Sequence, residues 1–156
     1  MDKTLSKIAK MITFKIADHW FALPMAAVLK IVNCPPVDQG GIVNLGMVQL
    51  GAHTIHLLDL HSTFGLGSAP LALTQTPFLL VLRGSQKKLW GIVLEAPPDL
   101  IDLPNTLFKS VSTDKRFSPK KQWISHIAVI SKQDISRTLL LLDLKAVFQQ
   151  IGRAHV

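Results

Sequence analysis

The strongest constraint on this chain is that it spells one local pattern twice. Leu57-Leu58-Asp59-Leu60 is followed by Phe64, and Leu141-Leu142-Asp143-Leu144 is followed by Phe148. The two aspartates stand 143 − 59 = 84 positions apart in a chain of 156 residues, too far for a short tandem repeat. The pattern predicts two related halves. At 48% hydrophobic, the chain can bury a core as one domain or as two small lobes that share it.

Most of the sequence reads as strand, because short apolar and β-branched runs are broken by Gly, Pro, Asp and Asn. Residues 13–17 and 20–23 flank Asp18-His19, a two-residue connection suited to a hairpin. Residues 78–82 and 89–94 flank a longer connection over 83–88, and each second strand opens near a tryptophan, Trp20 or Trp90. Each predicted hairpin is followed by an apolar run into proline, AAVLKIVNCPP and then EAPPDLIDLP. Two more strands follow in each half, at 47–50 with 54–58 and at 123–130 with 138–142, the last pair joined by the polar turn SKQDIS.

The repeated aspartate has a local use. At the end of a strand its carboxylate accepts the free backbone N–H groups of a following helical turn, so Asp59 and Asp143 are predicted caps. Leu60 with Phe64, and Leu144 with Phe148 and Ile151, then lie on one helical face and plug the end of a barrel. Each half is therefore expected to be a small barrel of about five strands, closed so that no edge is left bare.

Composition narrows the function. The net charge of +7 and pI near 9.8 admit a nucleic-acid-binding β-barrel as an alternative function. The positive residues are spread along the chain in small clusters at Lys87-Lys88, Lys115-Arg116 and Lys120-Lys121, which fits a solvated surface better. Residues 39–58 and 60–82 carry no formal charge, yet Gly, Asn, Gln, His and Thr interrupt them, so neither is read as a membrane span. Cys34 is the sole cysteine, and the start MDKTLSKIAK lacks a long apolar stretch, so the expected location is cytoplasmic.

Two aspartates in related halves evoke the paired carboxylates of aspartic proteases, but those sit in Asp-Thr-Gly or Asp-Ser-Gly loops, whereas each Asp here precedes Leu. No catalytic residue and no enzymatic activity are expected. His53, His56 and His61 form a candidate metal cluster, but positions three apart on a strand face opposite ways, so no metal and no cofactor are expected. In the first twelve residues Leu5, Ile8, Ala9 and Ile12 share one helical stripe, which reads first as a loosely ordered extension and second as a helix that docks on a partner or lies on a membrane surface.

From about residue 13 to 151 the chain resembles the CheW family of chemotaxis coupling proteins. GMVQLGAHTIHLLDLHSTFGL is similar to the family's Gly-Val-Ile-Asn-Leu-Arg-Gly-x-x-Ile-Pro-Val-Ile-Asp-Leu segment and the short helix after it, and LLLLDLKAVFQQI is similar to the family's closing stretch. The resemblance implies a mainly β fold of two pseudo-symmetric five-stranded Src-homology-3-like barrels with short capping helices. It implies a single domain at 13–156 after an extension at 1–12, with lobes at about 13–68 and 77–144 and a helix at 145–151 packing back. It also implies an adaptor, peripheral to a membrane receptor array, that holds the cytoplasmic tip of a methyl-accepting chemoreceptor and the regulatory domain of a CheA-type histidine kinase. That regulatory domain is itself built on this fold.

The departures from the family pattern mark the candidate partner-binding residues. Aligned on Asp59-Leu60, Gln49, Leu50, Gly51 and Ala52 stand where the family has Asn, Leu, Arg and Gly; matching Asn44-Leu45 to the same Asn-Leu places Gly46 at the arginine instead. In AAVLKIV, Lys30 stands where the family carries an acid. Val28, Lys30, Ile31, Gln49, Gly51 and Ala52 are therefore the residues expected to meet a receptor or kinase, and the sign change at Lys30 points to a divergent partner set. Each also has a plainer reading: a solvated lysine on a surface turn for Lys30, a bulge glycine for Gly51, core packing for Val28 and Ile31.

Overall fold

The computed structural model describes residues 7–33, 42–44, 47–60, 64, 78–84, 87–111 and 123–154. Among these residues twelve strands run β1 (Ile8–Ile16), β2 (His19–Pro24), β3 (Val28–Asn33), β4 (Ile42–Asn44), β5 (Met47–Leu50), β6 (His53–Leu57), β7 (Phe78–Arg83), β8 (Leu89–Leu94), β9 (Asp99–Pro104), β10 (Lys109–Ser110), β11 (Ile124–Lys132) and β12 (Ile135–Leu142). A helix, α1 (Leu144–Ala154), follows β12. The chain is thus mainly β, in two mixed sheets of six strands each, the sixth strand of each being the short β4 or β10.

The strand order in one sheet is β10-β11-β12-β2-β1-β9, and in the other, written from its far end, β4-β5-β6-β8-β7-β3. The two orders match element for element. The parallel junctions also match: Leu139, Leu140 and Leu141 run beside Trp20, Phe21 and Ala22, while Ile55, His56 and Leu57 run beside Leu89, Trp90 and Gly91. Since 139 − 55 = 84, β12 is β6 repeated at the spacing of the two aspartates.

The halves exchange their hairpins. The β1–β2 hairpin joins β9 to β12, and the β7–β8 hairpin joins β3 to β6. The two compact units accordingly comprise Met1–Met25 with Pro98–Val156, and Ala26–Pro97. Lobes at 13–68 and 77–144 do not describe this pairing, because β1 and β2 have no hydrogen-bonded neighbour among β3 to β6. The apolar patterning of the hairpins explains their central place. Met11, Ile12, Thr13 and Phe14 are buried in succession, as are Leu79 to Leu82, so both faces of each hairpin are covered, as for strands inside a sheet rather than at its rim.

Other sequence expectations shift by small amounts for local reasons. The segment expected as an extension enters the sheet at Ile8, and β1 pairs with both β2 and β9, so residues 8–12 are strand rather than a helical stripe; Leu5 lies outside the described residues. Ile16 pairs with His19, so the first turn is Ala17-Asp18, one residue earlier than expected, with Ala17 at a φ of 54°. Lys132 pairs with Ile135, which shortens the expected polar turn to Gln133-Asp134, at φ of 53° and 65°. Both residues of that turn take the left-handed conformation that matches the twist of a two-residue hairpin.

Each unit has its own core, built from equivalent positions. Met11, Ala22, Leu103, Ala128 and Leu139 form one, flanked by Trp20, Ile101 and Phe108. Val48, Ile55, Leu79 and Val81 form the other, flanked by Val32, Leu57 and Leu89. Pairing makes Leu139 the counterpart of Ile55, Ala128 of Val48, and Ala22 of Gly91. The last pair differs in bulk: a Cβ on Gly91 would lie 2.8 Å from Leu79 Cδ1 and 3.0 Å from Ile55 Cγ2, so a side chain there would push those two side chains aside.

Thr13 breaks the correspondence. It pairs with Ala22 as Val81 pairs with Gly91, yet its hydroxyl is buried and without a hydrogen-bond partner among the described residues. Val81 fills the same place with a methyl group. Thr13→Val is therefore expected to raise the unfolding free energy by about 1 kcal/mol, read from the urea midpoint at constant slope. A drop in the midpoint would show that the hydroxyl is satisfied after all.

Candidate partner-binding site

The six expected partner-binding residues fall in the Ala26–Pro97 unit, in two places. Val28, Lys30 and Ile31 lie on β3, which ends its sheet and pairs with β7 alone among the described strands. The register slips between Val28 and Lys30, which leaves Leu29 as an extra residue on the edge. From there Lys30 opposes Val81, and Ile31 opposes Leu80. Lys30 is exposed, but on a strand rather than a surface turn. Leu29 and Ile31 are each 41% exposed, so Ile31 is not a core residue, while Val28 is half-buried.

Gln49, Gly51 and Ala52 form the tip of the β5–β6 hairpin. Leu50 pairs with His53, so Gly51 and Ala52 are the two loop residues, and Gly51 has a φ of 61°. A side chain at that φ is strained, which is the reason for glycine here; its role is a turn, not a bulge. The tip is braced: Thr54 Oγ1 donates to Gln49 Oε1 at 3.0 Å, and Gln49 Nε2 donates to the Gly51 carbonyl at 3.1 Å. A Cβ on Gly51 would meet nothing within 4 Å, so the tip is open. In strand order β7, β8 and β6 stand between β3 and β5, and no strand pairing joins the two groups.

Of the repeated aspartates, Asp143 caps a helix. Asp143 follows β12, its Oδ1 accepts the Ala146 N–H at 3.2 Å, and its carbonyl accepts the Val147 N–H at 3.0 Å, which starts α1. Its own N–H donates to the Trp123 carbonyl at 2.6 Å. On the other unit Leu60, directly after Asp59, is buried and its carbonyl accepts the Phe64 N–H at 3.1 Å. Val147 on α1 is buried as well, a position that the repeat did not flag.

The tryptophans are not equivalent. Trp20 is the counterpart of Leu89, and Trp90 of Phe21, because the parallel registers align them so. Arg137 stacks its guanidinium over Trp20 with Cζ 3.7 Å from the ring centre, whereas Trp90 meets the tilted His56 ring at 5.1 Å. His56 is thus engaged with an aromatic face; His61 lies outside the described residues. Among the described residues no group of three His, Cys, Asp or Glu side chains converges, and no helix is long and apolar enough to cross a membrane.

Two mixed sheets of the same strand order, each holding a hairpin from the other half of the sequence, are a specific architecture. The family model described as the CheW-like domain matches residues 10–152. This chain belongs to the CheW-like family. The crystal structure of scaffolding protein TtCheW from Thermoanaerobacter tengcongensis shares the fold with a TM-score of 0.65. The alignment covers 88% of this CheW-like chain and 90% of that one at 15% sequence identity, a likeness of fold alone. No curated protein matches the chain by sequence.

Proposed function

We propose that this CheW-like protein is an adaptor: it holds the regulatory domain of a CheA-type histidine kinase and the cytoplasmic tip of a chemoreceptor, and transforms no substrate. The observation that carries the reading is membership of the CheW-like family over residues 10–152. Two exposed places on one unit, the β3 edge and the β5–β6 tip, suit a protein that must meet more than one partner. Its work is then differential binding: a receptor state that binds the adaptor better shifts the kinase it also holds. Such an adaptor acts in the cytoplasm, at the inner face of a receptor array.

The residues where the family's polar pattern changes direct the choice of partner. Lys30 in place of an acid turns a favourable contact with a basic receptor group into a repulsive one. A receptor tip that suits the ordinary family pattern is therefore expected to bind the wild-type chain at least about tenfold more weakly than the Lys30→Glu variant, a difference of about 1.4 kcal/mol. Calorimetric titration of both proteins with such a tip checks this; equal affinity would remove Lys30 from the contact. Co-purification from the native cell tests the adaptor reading itself. Retention of a CheA-type kinase at raised salt supports it, and nucleic acid that washes off steeply with salt would replace it with the basic-barrel alternative.

A further inference from the structure

The β11–β12 hairpin of one unit outgrows its counterpart in the other. Leu139 opposite Ala128 corresponds to Ile55 opposite Val48, so Arg137 opposite Ile130 corresponds to His53 opposite Leu50. At that point β5–β6 turns, at Gly51 and Ala52, while β11–β12 goes on for two more pairs, Ser131 with Ser136 and Lys132 with Ile135. The extension holds Ile135 at 65% exposure, and among the described strands only β11 pairs with residues 135–137.

A cationic and aromatic group lies at its root. Arg137 stacks over Trp20, which itself packs against the core, and Lys15 stands directly across from Trp20 on β1. Stacking occupies the face of the guanidinium and leaves the N–H groups in its plane for hydrogen bonds. No carboxylate pairs with Arg137 or Lys15 among the described residues. The equivalent place on the other unit has Arg83, Leu89 and His53, so a cation there has no aromatic plate to rest on. Directly opposed residues of paired strands share a face, as do residues two apart on one strand. Lys15, Trp20, Arg137 and Ile135 therefore share one face, at the end of β12 away from α1, with Arg137 and Ile135 about 6.6 Å apart along the strand. An ordered cation beside an exposed aliphatic side chain at this spacing matches an extended peptide that carries an acid and an aliphatic residue two apart. A polyanion fits less well: Asp18 and Asp134, exposed in the two turns at the same end, repel the phosphates that would follow the first.

We propose that this face takes an extended acidic peptide segment of a partner protein. Its carboxylate is held bidentately by Arg137 with Lys15 beside it, and its aliphatic side chain two residues along covers Ile135. The surface lies on the unit of Met1–Met25 with Pro98–Val156, whereas the six expected partner-binding residues lie on the other, so the proposal stands whether or not those meet a receptor or kinase.

The experiment selects displayed random short peptides on the purified full chain. The selected peptide, synthesised with a fluorescent label, is then titrated with wild type and variants by anisotropy. The expected result is enrichment of an acid with an aliphatic residue two positions away. Replacing that acid by its amide weakens binding at least about tenfold, and so does Arg137→Ala. Arg137→Lys recovers only part of the loss, because the charge returns without the planar fork. Ile135→Ser, at an exposed position, weakens binding as well, and Lys30→Glu on the other unit leaves it unchanged. Thermal melting equal to wild type separates lost binding from lost folding. A selection that enriches nothing, selected sequences without an acid, or Arg137→Ala binding like wild type overturns the proposal. Tighter Arg137-dependent binding of oligothymidine or of phosphatidylserine vesicles also overturns it and gives the surface to a phosphate ligand instead.

Discussion

A chain started at Met25, without the β1–β2 hairpin, is expected to lose the whole Pro98–Val156 part of its unit as folded structure. β9 would have no hydrogen-bonded neighbour, β12 would lose its parallel partner, and Met11 and Ala22 would be gone from the core around Leu139. The loss exceeds the total stability of an ordinary small domain, about 5–15 kcal/mol, so no partial compensation rescues it. The six strands β3 to β8 keep all their own partners. Hydrogen exchange separates the regions: amides of β11 and β12 exchange at unfolded rates, while those of β5 to β8 stay protected. Protection of β11 and β12 in the shortened chain would contradict the exchange of hairpins.

Phe21→Ala is expected to have the largest effect of any single substitution. Phe21 is fully buried at the centre of β2, pairs with Phe14 on one side and Leu140 on the other, and stacks on the Phe14 ring with centres 5.8 Å apart and planes 20° from parallel. Removing it leaves a cavity in a strand covered on both faces and costs about 3–5 kcal/mol. Trp20, its half-buried neighbour, loses the Arg137 contact and part of its packing against the core when truncated, and costs less because it is not fully buried. Urea unfolding of the two variants gives the comparison, and a larger loss for Trp20→Ala would place the load at the rim of the sheet instead of its centre.

Much of the architecture was legible because duplication leaves a mark at a fixed spacing. The 84-residue offset of Asp59 and Asp143 is carried by the strands before them, where Ile55, His56 and Leu57 correspond to Leu139, Leu140 and Leu141. The hairpins were legible as hairpins but not as exchanged ones. A repeat looks the same in sequence whether each half keeps its hairpin or gives it away, and the choice lies in long-range pairing that no local pattern records. The runs MITF and LLVL did carry a clue, since a strand buried on both faces loses its alternation and so belongs inside a sheet.

The candidate site was legible in part for similar reasons. Gly51-Ala52 between alternating strands has the glycine-first form of a two-residue hairpin loop, a signal that places Gln49 and Thr54 opposite each other at the tip. Lys30 looked like a turn residue because AAVLKIV mixes small, apolar and charged residues without a clear period; its strand character comes from pairing with β7.

The interleaving of the two halves is tested most directly by cutting the chain between residues 68 and 77 and following the circular dichroism and urea unfolding of each piece alone and of the equimolar mixture. Each piece alone holds a hairpin without its sheet and a sheet without its hairpin, so the expected result is two unstructured fragments that gain β signal and a cooperative transition only when mixed. A cooperative transition in either isolated fragment would mean that a half completes its own barrel, and would contradict the account.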